Sequence, residues 1–213
     1  MNMEKKWWER RYAEGRTSGK GSIGRGREWK WSIIDEFTPE IPSLVDVGCG
    51  DLSFWEDRNC ESYIGIDIAE NIIIENREKR PEWKFIPGNA GNKIEGIKGR
   101  IVFCLDLLFH IMNTDNFVKI LENLCYYSKE WIYIYTWSIN PFLQEKWQKR
   151  GKTVTDDKFQ YYRPLRDYLK IFLSRGFTLE ATRWPPWGGI GELFVFRKSE
   201  LDSLLQTDHS LKP

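Results

Sequence analysis

Apolar residues along the chain fall into two alternating kinds of run: short uninterrupted blocks, and longer stretches in which they recur every three or four positions. The blocks LVDV (44–47), YIGID (63–67), WKFIP (83–87), RIVFCLD (100–106) and WIYIYTW (131–137) are short and rich in β-branched and aromatic residues, which predicts strands. Helix-period segments lie between them at 69–80 (AENIIIENREKR) and 114–128 (TDNFVKILENLCYYS), and a further helix is expected near 165–175. Strands apolar on both faces and separated by helical crossovers predict a doubly wound, mostly parallel α/β sheet with both faces covered. Two last blocks, FTLEATRW (177–184) and GELFVFRK (191–198), are joined by PPWGGIG and predict a C-terminal antiparallel hairpin, bringing the sheet to seven strands.

Upstream of the first strand, a short amphipathic helix is expected over 3–14. The glycine-rich stretch EGRTSGKGSIGRG follows, which no regular element should tolerate and which is expected to be mobile. Trp29, Ile33, Ile34 and Phe37 then recur at helical spacing over 27–37 until TPEIPS breaks the pattern. The organisation expected is an N-terminal helix and glycine-rich lid at 1–40, a single α/β domain at 41–198, and a frayed tail at 199–213. A chain of 213 residues with 41% hydrophobic content supports one core of this size.

Charge narrows the function classes. Lys and Arg number 32 against 31 Asp and Glu, so no global field draws the protein to nucleic acid or to a membrane, although the first thirty residues are locally basic. The cysteines at 49, 60, 104 and 125 lack C-x-x-C spacing and only two histidines are present, so a metal site is not expected. With no long apolar run and with charges where a signal peptide needs its apolar stretch, a cytoplasmic protein with free thiols is expected.

The stretch LVDVGCGDLSFW places a glycine turn directly after the first strand, where open α/β sheets bind ligands. The third glycine of a dinucleotide fingerprint is replaced by Ser53, and carboxylates surround the turn: Asp46 before it, Asp51 after it, Asp67 ending the second strand and Asp106 ending the fourth. A pyrophosphate there would meet about 4 kcal/mol of repulsion per close carboxylate, against about 1 kcal/mol from a helix N-terminus. A nucleoside with a sulfonium and an ammonium but no phosphate suits the same ring of charge, and S-adenosylmethionine is such a ligand. Asp67, 19 positions after Gly48, is placed to accept both ribose hydroxyls.

DVGCGD, YIGID, NAGNKI and LDLLFHI, spanning 43–137, together resemble the class I S-adenosylmethionine-dependent methyltransferases. By that resemblance, backbone at Gly48 and Gly50 meets the methionine moiety, Asp67 the ribose, and Asn89 with Ala90 the adenine edge. Asp46, Ile68 and Leu105 join the expected cofactor set. The family often has Asp where this chain has Asn89. The pattern formed by Trp8, Arg11, Tyr12, Gly15, Ser18, Gly19, Gly21 and Ser22 resembles a lid segment of small bacterial and archaeal methyltransferases, which adds Trp8, Tyr12, Ser18 and Gly19 to the cofactor contacts.

Methyl transfer needs a nucleophile held in line with the methyl group and shielded from water. His110, four positions past Asp106, is the expected base, and Asp106 is expected to orient it or to meet the cofactor ammonium. The insert NPFLQEKWQKRGKTVTDDKFQYYRPLR is expected to roof the acceptor site, with Tyr161, Tyr162, Arg163 and Trp187 as acceptor contacts and Arg166 beside them. The expected acceptor is an oxygen, less favourably a nitrogen, of a small molecule or glycan. RNA contacted through KWQKRGK is the alternative, and a silent cofactor-binding module is another. INPF follows the fifth strand rather than the fourth, so it is not the N-P-P-Y motif of amino-methyltransferases. WPPW lacks the Asp of the D-P-P-W motif and is expected to be a rigid aromatic loop.

Overall fold

The computed structural model describes residues 3–138, 152–155, 158–188 and 191–199. Five strands run parallel: β1 (Ser43–Val47), β2 (Ser62–Asp67), β3 (Lys84–Pro87), β4 (Gly99–Leu105) and β5 (Ser128–Trp137). The antiparallel pair β8 (Phe177–Arg183) and β9 (Gly191–Lys198) completes a seven-stranded sheet of order β3-β2-β1-β4-β5-β9-β8. β1 therefore pairs with both β2 and β4, and the strand order reverses beside it. A ligand cleft is expected at such a reversal, beyond the carboxyl ends of the strands.

The strands pair because their side chains are apolar on both faces. On one face Val45, Val102, Ile132 and Phe194 pack against the apolar stripe Phe117, Ile120, Leu121 and Leu124 of α4 (Thr114–Tyr127) and against Tyr168 and Phe172 of α5 (Leu165–Ser174). α4 begins where Asn113 accepts the Asn116 N–H at 2.8 Å, a side-chain N-cap. On the other face Leu44, Ile101, Phe103 and Tyr133 meet Trp31 and Ile34 of α2 (Gly24–Phe37) and an aromatic cluster of Phe54, Trp55, Tyr63 and Trp83. α1 (Met3–Ala13) lies on α3 (Glu70–Lys79): Trp8 and Tyr12 pack on Ala69 and Ile72, Lys5 pairs with Glu70, and Asn71 donates to the Glu9 carbonyl at 3.0 Å.

Three features depart from the sequence reading. The glycine-rich stretch is fastened by hydrogen bonds, contains a short 3₁₀ turn (Lys20–Ser22) and feeds α2 already at Gly24. Its glycines permit close approach, for a Cβ at Gly26 would lie 3.3 Å from the Lys20 carbonyl oxygen. The insert after β5 contains an antiparallel pair, β6 (Lys152–Thr155) and β7 (Lys158–Tyr161), which its mixed pattern did not announce. β5 starts at Ser128, directly after α4, rather than at Trp131. INPF, most of KWQKRGK and the tail beyond Ser199 lie outside the described residues. No helix among the described residues is long and apolar enough to cross a membrane.

Candidate functional site

The turn after β1 is shaped by two glycines in the left-handed region, Gly48 (φ 85°) and Gly50 (φ 58°). The Gly48 and Cys49 N–H groups both donate to the Ile66 carbonyl, which ties the turn to β2. A side chain at Gly48 would press on Leu107, and one at Gly50 would collide with Ser18 of the N-terminal segment.

A cleft opens around this turn. Asp67, at the end of β2, is buried and accepts the Gly50 N–H on one oxygen (3.0 Å) and the Ala69 N–H on the other (2.9 Å). A carboxylate has about four acceptor directions, so these backbone donors leave part of its acceptor capacity for a ligand. Burial pushes the Asp67 carboxyl up to about 6, opposed by these backbone donors. Asp46 is also raised to about 6 by burial. Its Oδ2 is held from behind by Trp55 Nε1 at 2.9 Å and Tyr63 OH at 2.8 Å, so the aromatic cluster fixes its position.

The N-terminal segment is clasped to the turn. Ser18 donates through its N–H (3.0 Å) and hydroxyl (2.8 Å) to the two oxygens of Asp51, and its hydroxyl oxygen accepts the Asp51 N–H at 3.0 Å. Tyr12 OH lies 3.2 Å from the same hydroxyl, and the Tyr12 ring stacks on Trp8. The clasp uses Asp51, which the sequence placed among the ring of carboxylates facing the ligand.

A second anchor was not foreseen. Lys30, on α2, is 1% exposed; its ammonium pairs with the Asp106 carboxylate, donates to the Gly21 carbonyl at 2.9 Å and sits 4.0 Å over the Tyr135 ring. Desolvation lowers the Lys30 pKa and Asp106 opposes that shift. Asp106 itself adopts a left-handed conformation (φ 61°) at the end of β4, an unfavourable one for a residue with a side chain. A signal was present: Lys30 lies three and four positions before Ile33 and Ile34, on the apolar stripe of α2, where a solvated lysine would be out of place.

Asp46, Gly48, Gly50, Asp67, Ile68 and Leu105 all line the cleft. So do Asn89, Ala90, Trp8, Tyr12 and Ser18, with Asp106 and His110. Gly19 does not; it lines the neighbouring cleft. Asn89 Oδ1 accepts the Gly91 N–H at 2.8 Å, so that oxygen shapes its own loop. His110 closes a 3₁₀ turn (Leu108–His110), with Trp8 edge-on at 5.3 Å and Phe109 at 4.3 Å, and it faces both clefts.

The expected acceptor residues separate. Trp187, 42% exposed, lines the second cleft. Tyr162 stacks on Trp137, a wall of that cleft, at 5.8 Å. Arg163 is 2% exposed and layered between Tyr161 and Phe117 at about 4 Å, and both terminal guanidinium nitrogens lack hydrogen-bond partners. It is buried two positions beyond β7 and lines neither cleft. Arg166 is exposed on α5 and lines neither cleft.

The lining of the first cleft contains five carboxylates (Glu4, Asp46, Asp51, Asp67, Asp106) and no lysine or arginine among the described residues. Such a cleft rejects a pyrophosphate and fits a cationic, phosphate-free nucleoside. The fold is found in solved methyltransferases. N-methyltransferase NodS from Bradyrhizobium japonicum WM9, in complex with S-adenosyl-L-homocysteine, matches with TM-score 0.70 and 10% identity over 92% of this chain and 99% of that one. DesVI from Streptomyces venezuelae matches at 0.64 and 15% over 93% and 100%. Magnesium protoporphyrin IX methyltransferase from Synechocystis PCC 6803, with bound S-adenosylhomocysteine, matches at 0.62 and 19% over 91% and 94%. No protein-family model and no curated protein sequence matches the chain.

Proposed function

We propose that the protein is an S-adenosylmethionine-dependent methyltransferase acting on an oxygen, or less favourably a nitrogen, of a small molecule or glycan. The observation that carries this reading is the cleft beside β1, walled by carboxylates with no lysine or arginine among the described residues, at the reversal of strand order. When bound, S-adenosylmethionine supplies a methyl group activated by its sulfonium. Asp67 would hold the ribose through its remaining acceptor capacity. Gly48 and Gly50 let the backbone approach the methionine portion, while Asn89 and Ala90 border the base.

Residues 1–40 act as a lid on the unit at 41–198. Trp8 and Tyr12 cover the cleft and exclude water, and the Ser18–Asp51 clasp keeps the segment down. His110, facing both clefts, is the group placed to take a proton from the acceptor on an imidazole nitrogen. The fold neighbours include an N-methyltransferase and a porphyrin methyltransferase, so the scaffold is compatible with small acceptors.

Titration calorimetry with S-adenosylmethionine, NAD and ATP tests the binding half: only the first should bind. Incubation with an acceptor panel, following S-adenosylhomocysteine, tests the transfer half. Preference for NAD or ATP overturns the reading, and cofactor binding without turnover on any acceptor reduces it to a silent binding module.

A further inference from the structure

The second cleft, open to solvent, adjoins the first and shares Trp8, Ser18, Asp106 and His110 with it. Its charge is reversed. Arg11, Lys20 and Arg25 line it, and the one carboxylate lining it among the described residues, Asp106, is already paired with Lys30. Its walls are aromatic, with Trp7, Phe109, Tyr135, Trp137 and Trp187 around the mouth and floor. Arg25 lies 4.6 Å over the Trp187 ring, and Trp29 braces that ring from 6.1 Å.

The cations in this cleft differ from their neighbours. Arg10, Arg16, Arg27 and Arg58 each lie within salt-bridge reach of a carboxylate, whereas Lys20 and Arg25 have no such partner among the described residues. Arg11 uses its Nε on the Thr17 carbonyl at 2.8 Å, and burial lowers its pKa. Unneutralised cations beside broad ring faces suit a ligand that has a flat or apolar ring face and an anionic group. A polymer would instead ask for a basic track across the surface. Among the described residues the flanking arginines Arg10, Arg16, Arg27 and Arg58 are each within reach of a carboxylate, and the net charge of the chain is only +1.

We infer that this second cleft binds the methyl acceptor, and that the acceptor is a small ring compound with an anionic substituent, a phosphate or a carboxylate, held by Lys20 and Arg25 while its ring lies on the tryptophan walls. The assignment as acceptor site rests on reading the first cleft as the cofactor site. The ligand class rests on the second cleft alone.

Titration calorimetry separates the two. Cofactor binding is measured first with S-adenosylhomocysteine, and its absence fells the methyltransferase reading without touching the ligand class. Glucose 6-phosphate, glucuronic acid and phenyl phosphate are then titrated against glucose, phenol and inorganic phosphate, with and without S-adenosylhomocysteine. At least one ring anion should bind about tenfold or more tightly than both its neutral ring and free phosphate, with the advantage shrinking at high salt. Whether the phosphate or the carboxylate sugar is preferred identifies the anion. Arg25→Ala and Lys20→Ala, both exposed and not expected to disturb the fold, should each reduce that affinity about tenfold. Equal binding of neutral and anionic rings overturns the inference, as does no binding of any probe, affinity unchanged in both variants, or a short RNA binding far more tightly than every small anion.

Discussion

At the scale of single residues, the cleft joins two demands in one carboxylate. Asp67 is buried enough to be pushed up to about 6, yet it is the group a ribose would need ionised. Asp46 shares that raised value. For a carboxyl whose folded value lies above its unfolded one, the ionised form is disfavoured by folding. Each therefore lowers stability as pH rises from about 4 to about 6, and the deficit persists above that. A shift of about two units corresponds to roughly 3 kcal/mol per group, an order-of-magnitude figure. Denaturant titrations should show the ligand-free protein losing stability between pH 4.5 and 6.5, and calorimetry should show S-adenosylmethionine affinity rising through the same window. Asp67→Asn keeps the shape but loses one acceptor to the Gly50 or Ala69 N–H. It should weaken cofactor binding about tenfold or more, while thermal unfolding shows a loss of only about 1–2 kcal/mol. His110→Ala should lower turnover with cofactor affinity nearly unchanged, which calorimetry alongside an S-adenosylhomocysteine assay would resolve.

Among the elements, the lid and α2 are the informative ones. The glycine-rich segment is held by Ser18 on Asp51, in the turn after β1, and by the Gly21 carbonyl on Lys30 of α2. Ser18→Ala removes the hydroxyl that both donates to Asp51 and accepts from its N–H. Stopped-flow displacement should then show faster cofactor release, with overall stability changed by only about 1 kcal/mol. Lys30→Met leaves Asp106 with a poorly compensated charge and should destabilise by about 3–5 kcal/mol in chemical denaturation. Adding Asp106→Asn to it should recover part of that loss, because the stranded charge is then gone.

These elements also show which information the chain carries locally. Strands β1 to β5 were legible because double-sided burial writes an apolar block into the sequence, and Gly48, Gly50 and Asp67 were legible because a turn and a strand end fix their positions. Lys30 was not, since its role depends on Gly21 and Asp106, one on a glycine-rich segment and the other 76 positions away. The surroundings of Arg163 were not legible for the same reason. Its neighbours Phe117 and Tyr161 come from α4 and β7, and β7 itself had no clear period.

For the molecule as a whole, charge is sorted rather than abundant. A nearly neutral chain has a cleft of carboxylates on one side of His110 and a basic, tryptophan-walled cleft on the other. Composition reveals only the sum, and the sorting emerges when the lid folds onto the sheet. The aromatic content, 15% of residues, serves a packed cluster behind Asp46, the core under α4 and α5, and the open walls around Trp187. Buried thiols at Cys49, Cys60, Cys104 and Cys125, all with pKa raised by desolvation, place no reactive sulfur in either role.

The position of β9 has a consequence for synthesis. It is the last described strand to leave the ribosome, yet it enters between β5 and β8. Until residue 198 has emerged, β5 has an open edge lined by Ile132 and Ile134, and β8 has no place to dock. A nascent chain arrested before 191 should therefore bind chaperones and resist release in soluble form, while one arrested beyond 198, with tunnel length added, should acquire protease resistance in a single step.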